Sequence, residues 1–433
     1  MTMPATRCPS SSFRAALALA LVPLLACERK GIDIAPLTSP AAGAEAGDAA
    51  LAAAPDSAIV FLAWVAGDTG ARHLWFARSA NAGASWSAPV RVTSTPDAIG
   101  APHGESAPRL VAGEAGKVGI VWSRSVPVPG RRWPASEIRF ARSLDGGATW
   151  SSAITLNDDS TGAPGTHTFH GATWTGEDGI VAAWLDERGG ESFPGHHHAV
   201  GDATAAPTME SDARIFFTES SDFGDTWAPN RAVWGAVCPC CRVTLAREPT
   251  GGVVAAWRQH FPGSIRDVVT AALLPAPAEP RRVQQDNWEY PGCPHTGPAL
   301  AVDRNGVRHV TWYTGKPDGA GIYYGRIAPG DTAAPAAVPL VTGGSIQTGH
   351  GTITSLASGG ALAAFDVDEG GGRGIRLAHL NGEGTLTASR TIEGSTGGSY
   401  PQVVALGNGS ALVAWRQAGE AGPGVRLARI DGL

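Results

Sequence analysis

The chain has 433 residues, 43% of them hydrophobic and 17% charged, so it can bury a large core and is not a disordered tail. The net charge of -6 is spread out with no basic stripe, which excludes nucleic acid as an expected partner. Glycine at 57 residues and tryptophan at 14 are both high, as suits many short strands joined by tight turns with a large aromatic in each unit.

The first residues read as a targeting segment. Arg7 and Arg14 supply positive charge, and Ala15 through Ala26 form a short apolar stretch before Cys27. Leu24-Leu25-Ala26-Cys27 resembles the bacterial lipobox, whose cysteine becomes the lipidated first residue of the mature protein; the alternative is an ordinary cleaved signal peptide. Both imply export, and the lipobox implies a membrane-anchored lipoprotein of the bacterial cell envelope, in the periplasm or on the outer membrane. The expected organisation is a signal peptide over 1–27, an Ala/Gly/Pro-rich tether over 28–50 and a single domain over 51–433. No later apolar run approaches the roughly 20 residues that span a bilayer.

From residue 59 onward a short β-branched or apolar run ending in an aromatic recurs down the chain. It ends successively at Trp64, Trp122, Trp184, Trp257, Trp312, Phe365 and Trp415, roughly 50 to 75 residues apart, about one four-stranded propeller blade each. Each copy follows another apolar stretch and precedes a third, then usually a weaker fourth. The pattern predicts an all-β propeller of about seven blades, alternatively six, with strands A to D running outward from the axis. The last repeat ends after its third strand, and the segment from Ile32 to Leu37 is the candidate to supply the missing partner and close the ring.

Behind the third strand of early repeats stand Ser143-Leu144-Asp145-Gly146-Gly147-Ala148-Thr149-Trp150 and Ser220-Ser221-Asp222-Phe223-Gly224-Asp225-Thr226-Trp227, with a degenerate copy from Ser79 to Trp86. These match the Asp-box (BNR repeat), and the chain resembles the sialidase-like β-propellers. That resemblance implies a hairpin turn in which Asp caps backbone N–H groups, Gly takes a positive φ and Trp packs between blades. It further implies that the boxes are structural and lie on the face opposite the active site.

Sorting loops by face gathers the chemistry on one rim. Ahead of the successive A strands stand His103 and Glu105, His167 and His170, Cys238-Pro239-Cys240-Cys241, Cys293 and His295, His350, and Tyr400. The long insertion of the third repeat adds His196-His197-His198, and Asp186, Glu187 and Glu191 are candidate acids on the same side. Thiols and imidazoles brought together suit a thiophilic metal such as copper or zinc, with Cys238, Cys240, Cys241, Cys293, His295, His103, His170 and His350 as candidate ligands. The alternative in an oxidising compartment is two disulfides among the four cysteines, in one of three connectivities, which would brace the rim of a protein-binding scaffold.

A second resemblance is narrower. Cys240-Cys241-Arg242, Trp257-Arg258, Ile265-Arg266-Asp267 and Gly292-Cys293-Pro294-His295-Thr296-Gly297-Pro298 look like a subgroup of exported bacterial sialidase-like proteins, which implies that these residues act as a unit. Arg109, Arg242, Arg258, Arg266 and Asp267 are the candidate residues for binding a small ligand or glycan. A sialidase needs three arginines on a carboxylate, a Tyr-Glu pair and an acid. Tyr400 sits where the family's tyrosine is expected, whereas the early Arg-Ile-Pro motif is absent because 32–55 contains no arginine. The resemblance therefore leaves an exo-sialidase or related glycoside hydrolase, with Tyr400 as nucleophile, as the alternative to a metal-binding protein.

Overall fold

The computed structural model describes residues 32–433 except 42–45, 56–57, 68–71, 95–98, 100–102, 131–133, 160–164, 189–212, 344–348, 369 and 419–423. Cys27, Glu191 and His196 to His198 lie outside the described residues.

Each repeated run forms the second strand of an antiparallel four-stranded sheet, and there are seven such sheets, the blades of a β-propeller. These second strands are Val60–Gly67, Val118–Val126, Gly179–Asp186, Val253–Arg258, Arg308–Thr314, Ala361–Asp368 and Ala411–Gln417. All but Arg308–Thr314, which carries His309 and Thr311, contain an unbroken apolar run, because a blade is covered on both faces by its neighbours and alternation is lost where packing is two-sided. Every run ends on a buried aromatic. Four of these tryptophans place the indole N–H on a side-chain oxygen: Trp184 on Asp186, Trp257 on Gln259, Trp312 on Asp286 and Trp415 on Gln417, at 2.7–2.8 Å.

The first strands contact one another in order around the axis, and the first strand of the last blade touches that of the first, so the ring is closed. Asp33–Leu37 supplies the closure by pairing antiparallel with Gly424–Asp431, from Asp33 opposite Asp431 to Leu37 opposite Leu427. Both this strand and the start of Gly47–Ala53 fall inside the stretch expected to be a tether. The compact unit accordingly begins at Ile32, earlier than residue 51, because the outer edge of the last blade needs a partner. Among the described residues no helix is long and apolar enough to cross a membrane.

The segments 143–150 and 220–227 form the turn that their sequence predicts. In one, Asp145 Oδ1 accepts from Ser143 Oγ at 2.7 Å and from the Thr149 N–H at 2.9 Å, while Gly147 N donates to Ser143 Oγ at 2.7 Å. Asp222, Ser220, Thr226 and Gly224 repeat the pattern. These hydrogen bonds favour the ionised form, so both carboxyls are lowered to about 2. Trp150 meets Phe76 edge-on at 5.1 Å and Trp227 meets Phe140 at 5.0 Å, in each case on the preceding blade.

Candidate functional site

At the opposite end the chain enters each innermost strand, and three blades do so through the same irregularity. Ala50, Gly171 and Gln402 pair with Ala63, Ala183 and Ala414, the residues just before the blade tryptophan, and a register shift precedes each pairing. Two places earlier stand Asp48, Phe169 and Tyr400, with φ of 47°, 54° and 52°. Non-glycine residues rarely hold this conformation, and the bulge re-aims their side chains at the channel mouth.

Below the mouth a cavity of about 220 Å³ lies on the axis, lined by residues that include Arg109, Arg242, Thr244, Thr352 and Gln402. Its polar groups are tightly engaged. Glu105, fully buried, accepts from the Arg242 guanidinium and, at 2.7 Å, from Gly297 N. A Cβ on Gly297 would stand 2.8–2.9 Å from the Arg242 backbone, so the Cys293–Pro298 turn needs glycine there to lie against the neighbouring loop. Burial and the nearby Arg242 charge lower Arg109 to about 10. Burial, with Arg109 adding to it, lowers His170 to about 3, and His170 Nε2 sits 3.2 Å from the Val121 carbonyl. Burial raises Asp48 to about 6. Tyr400 is raised to about 12 by burial and then by the charges of Glu105, Asp366 and Asp48, the opposite of an activated phenol nucleophile.

The thiols lie beside this cavity. Cys238, Cys240 and Cys241 are buried in the loop ahead of Thr244–Arg247, and the Cys238 N–H donates to Arg258 O at 2.9 Å. Cys238 Sγ is 3.6 Å from Cys240 Sγ and 3.5 Å from Cys241 Sγ. These are contacts rather than bonds of about 2.05 Å, and the four described cysteines are free thiols. Half-buried Cys293 hydrogen-bonds Cys240 from the next blade's loop. Two groups result, Cys238 with Cys240 and Cys241, and Cys240 with Cys293 and His295; within each group the ligand atoms all lie within 4.8 Å of one another.

Two arginines stand behind the sulfurs. Arg258, 1% exposed, spends its guanidinium on backbone carbonyls: Thr296 O at 3.0–3.1 Å, Arg266 O at 2.6 Å and Tyr313 O at 2.8 Å. Arg266, also 1% exposed, donates from Nε to Tyr290 O at 3.2 Å, while its two terminal nitrogens are buried without a hydrogen-bond partner. Burial works against ionising Cys238, yet the neighbouring thiols and the charges of Arg266 and Arg258 hold it well below the ordinary thiol range. Burial pushes Cys240 and Cys241 up. Glu187, raised to about 7 by burial, adds negative charge near Cys293.

Of the residues singled out in the sequence, the structure gathers Cys238, Cys240, Cys241, Cys293 and His295, with Arg258 and Arg266 behind them. His103 is an exposed neighbour, its ring 5.2 Å from that of His295. His170 and His350 do not join the sulfurs. His170 is buried under the cavity, and His350 Nδ1 is 3.1 Å from Asp366, with Nε2 3.1 Å from the His295 carbonyl. Asp267 caps the backbone of Asn287 and Trp288 and pairs with Arg282 at 2.9 Å. Arg109 and Arg242 belong to the axial cavity, and the Tyr400 ring lies tilted at 33° against that of His350, with centroids 4.0 Å apart. Sequence reasoning passed over Asp366, which receives the Tyr400 N–H at 2.7 Å and Arg373 at 2.6 Å and so organises this side of the mouth. Its signal was the carboxylate directly after Phe365.

No protein-family model and no curated protein matches the chain. Solved structures do match. A PL25 ulvan lyase aligns over 92% of this chain and 93% of its own with a TM-score of 0.54 and 11% identity. The GH93 α-L-arabinofuranosidase of Fusarium graminearum aligns over 92% and 97%, with a TM-score of 0.49 and 12% identity. The microbial sialidase Hz136 aligns over 74% and 63%, with a TM-score of 0.45 and 15% identity. The likeness is one of fold.

Proposed function

We propose that this protein is an exported propeller, lipid-anchored through Cys27 in the bacterial cell envelope, that holds a thiophilic metal, copper or zinc, at its channel mouth. The observation that carries the reading is the pair of fully buried arginines, Arg258 and Arg266, with no carboxylate within ion-pair distance among the described residues and with four thiols beside them. A buried cation without a counter-charge is costly, and thiolates supply the missing negative charge. Thiolates held together by cations are the donor set that soft and borderline metals select.

The test is metal analysis of protein purified from the envelope without chelators, with a parallel count of free thiols. Near-stoichiometric copper or zinc is expected, lost in a Cys238→Ser, Cys241→Ser double variant. A metal-free protein with all four thiols oxidised rejects the reading in favour of a disulfide-braced scaffold. Replacing Cys27 by Ala is expected to move the protein from the membrane to the soluble fraction.

One observation favours a second reading, a glycoside hydrolase: Tyr400 and Glu105 interact beside a polar axial cavity that contains Arg109. Against it, Arg242 is consumed by Glu105 and the Tyr400 phenol is raised rather than lowered. Turnover of a fluorogenic sialoside that Tyr400→Phe abolishes would establish it.

A further inference from the structure

Building on the metal-binding reading, we infer that the mouth takes two Cu(I) ions that share the Cys240 thiolate. The sulfur and nitrogen donors do not surround one point. They form two groups of three that meet only at Cys240: Cys238, Cys240 and Cys241 on one side, Cys240, Cys293 and His295 on the other. A structural zinc site needs four donors around one centre, with thiolates standing about 3.8 Å apart for Zn–S bonds of about 2.3 Å. No such set of four is present among the described residues, because each compact group stops at three. Three-donor groups rich in thiolate suit Cu(I), one of the ions that cysteine sulfur selects. The Sγ separations of 3.5 and 3.6 Å already approach those of thiolates around one small ion.

Charge gives an independent count. Four thiolates carry four negative charges and His295 binds as neutral imidazole. Two Cu(I) ions leave the donor set itself at minus two, opposite the two positive charges of Arg258 and Arg266. A single Cu(I) leaves the buried group at minus three, one positive charge short of balance. Arg266, with both terminal nitrogens unpartnered, lies where a sulfur-rich anionic cluster is its remaining acceptor. Binding exchanges thiol protons for metal, so each thiol releases its proton to solvent and copper stays Cu(I) throughout.

The experiment is an anaerobic titration of the reduced, intact protein with Cu(I) against a chromogenic Cu(I) chelator, with native mass spectrometry reading the stoichiometry. Two ions per chain are expected. Cys241→Ser and Cys293→Ser should each retain one. Cys240→Ser should weaken both by more than about a hundredfold, beyond the usual cost of losing an outer-shell partner. Circular dichroism checks that each variant is folded, and X-ray absorption of the unmutated copper form provides a readout that needs no variant: about three S/N donors per copper and a short copper–copper vector. A single tightly held copper, or one zinc with four protein donors, overturns the shared-thiolate inference and leaves the metal-binding reading standing. Failure of both Cu(I) and Zn(II) to bind the reduced protein overturns both.

Discussion

Arg266 is held at 1% exposure by its backbone and by a single Nε–H bond to Tyr290 O, with nothing receiving its terminal nitrogens. Such a side chain costs the metal-free fold stability, since a buried ion without a paired group carries a desolvation penalty of several kcal/mol. Arg266→Met is therefore expected to unfold at equal or higher denaturant than the parent in the metal-free state, yet to bind Cu(I) roughly tenfold or more weakly. Lower stability together with unchanged affinity would separate Arg266 from the thiols. His170 gives a pH effect of known sign. Folded His170 titrates at about 3, whereas an unfolded imidazole titrates near 6.5, so between these values the unfolded chain binds the extra proton. Stability from this residue is complete above about pH 6.5 and falls by about 2 kcal/mol on going from pH 7 to pH 5. His309 and His379, also lowered by burial, add to the same slope. Asp48 opposes it: raised to about 6, its folded carboxyl keeps a proton that the unfolded one has lost, a contribution that disappears as pH rises through about 6. Urea unfolding of the parent and of His170→Gln at both pH values isolates the histidine; equal slopes would refute the assignment.

Among elements, the Asp-box hairpins and the bulged inner strands mark the two ends of the blades. Gly224 sits at φ +82°, and a Cβ there would lie 2.2 Å from the Phe140 ring; Gly147 stands in the same relation to Phe76. Gly224→Ala should therefore combine left-handed strain with overpacking and destabilise by about 2–4 kcal/mol. Gly330, at φ +83° with nothing within 4 Å, carries only the strain, and Gly330→Ala should cost about 1 kcal/mol. Urea midpoints that fail to separate the two would remove the inter-blade contact from the account. The boxes and the second strands were legible because their signals are local: a turn motif, and a two-sided apolar run ending in an aromatic. Several fourth strands were faint since they are two residues long, as in Val90–Arg91, Ile154–Thr155 and Arg281–Arg282. The bulges at Asp48, Phe169 and Tyr400 left no trace because no glycine marks their positive φ. The sulfur group was half legible. Rim membership brought Cys238, Cys240, Cys241, Cys293 and His295 together, but His170 and His350 sit on the same rim and turn to Val121 and Asp366 instead. Spacing fixes which loop holds a residue, whereas the partner its ring finds is a tertiary fact.

For the molecule as a whole, the ring is fastened by chain ends. Without Asp33–Leu37 the last blade has three strands, and Gly424–Asp431 presents a full row of unpaired backbone groups. The strand also carries apolar cargo. Ile32 is buried in the core of the last two blades, and Leu37 packs where the last blade meets the first, in a cluster with Leu62, Trp64 and Leu427. A mature chain beginning at Ser39 therefore loses the hydrogen-bonded edge and both side chains together, and Ile32 alone is worth about 2–5 kcal/mol if it behaves as other buried isoleucines do. The expected outcome is a lower thermal midpoint and concentration-dependent association in size-exclusion chromatography, since an exposed strand edge pairs with a second copy. Adding the missing peptide in trans, with the sequence from Gly31 to Thr38, should return the protein to a monomer. A truncated protein that stays monomeric with an unchanged midpoint would mean that the inner ring of strands, not the outer seam, holds the propeller closed.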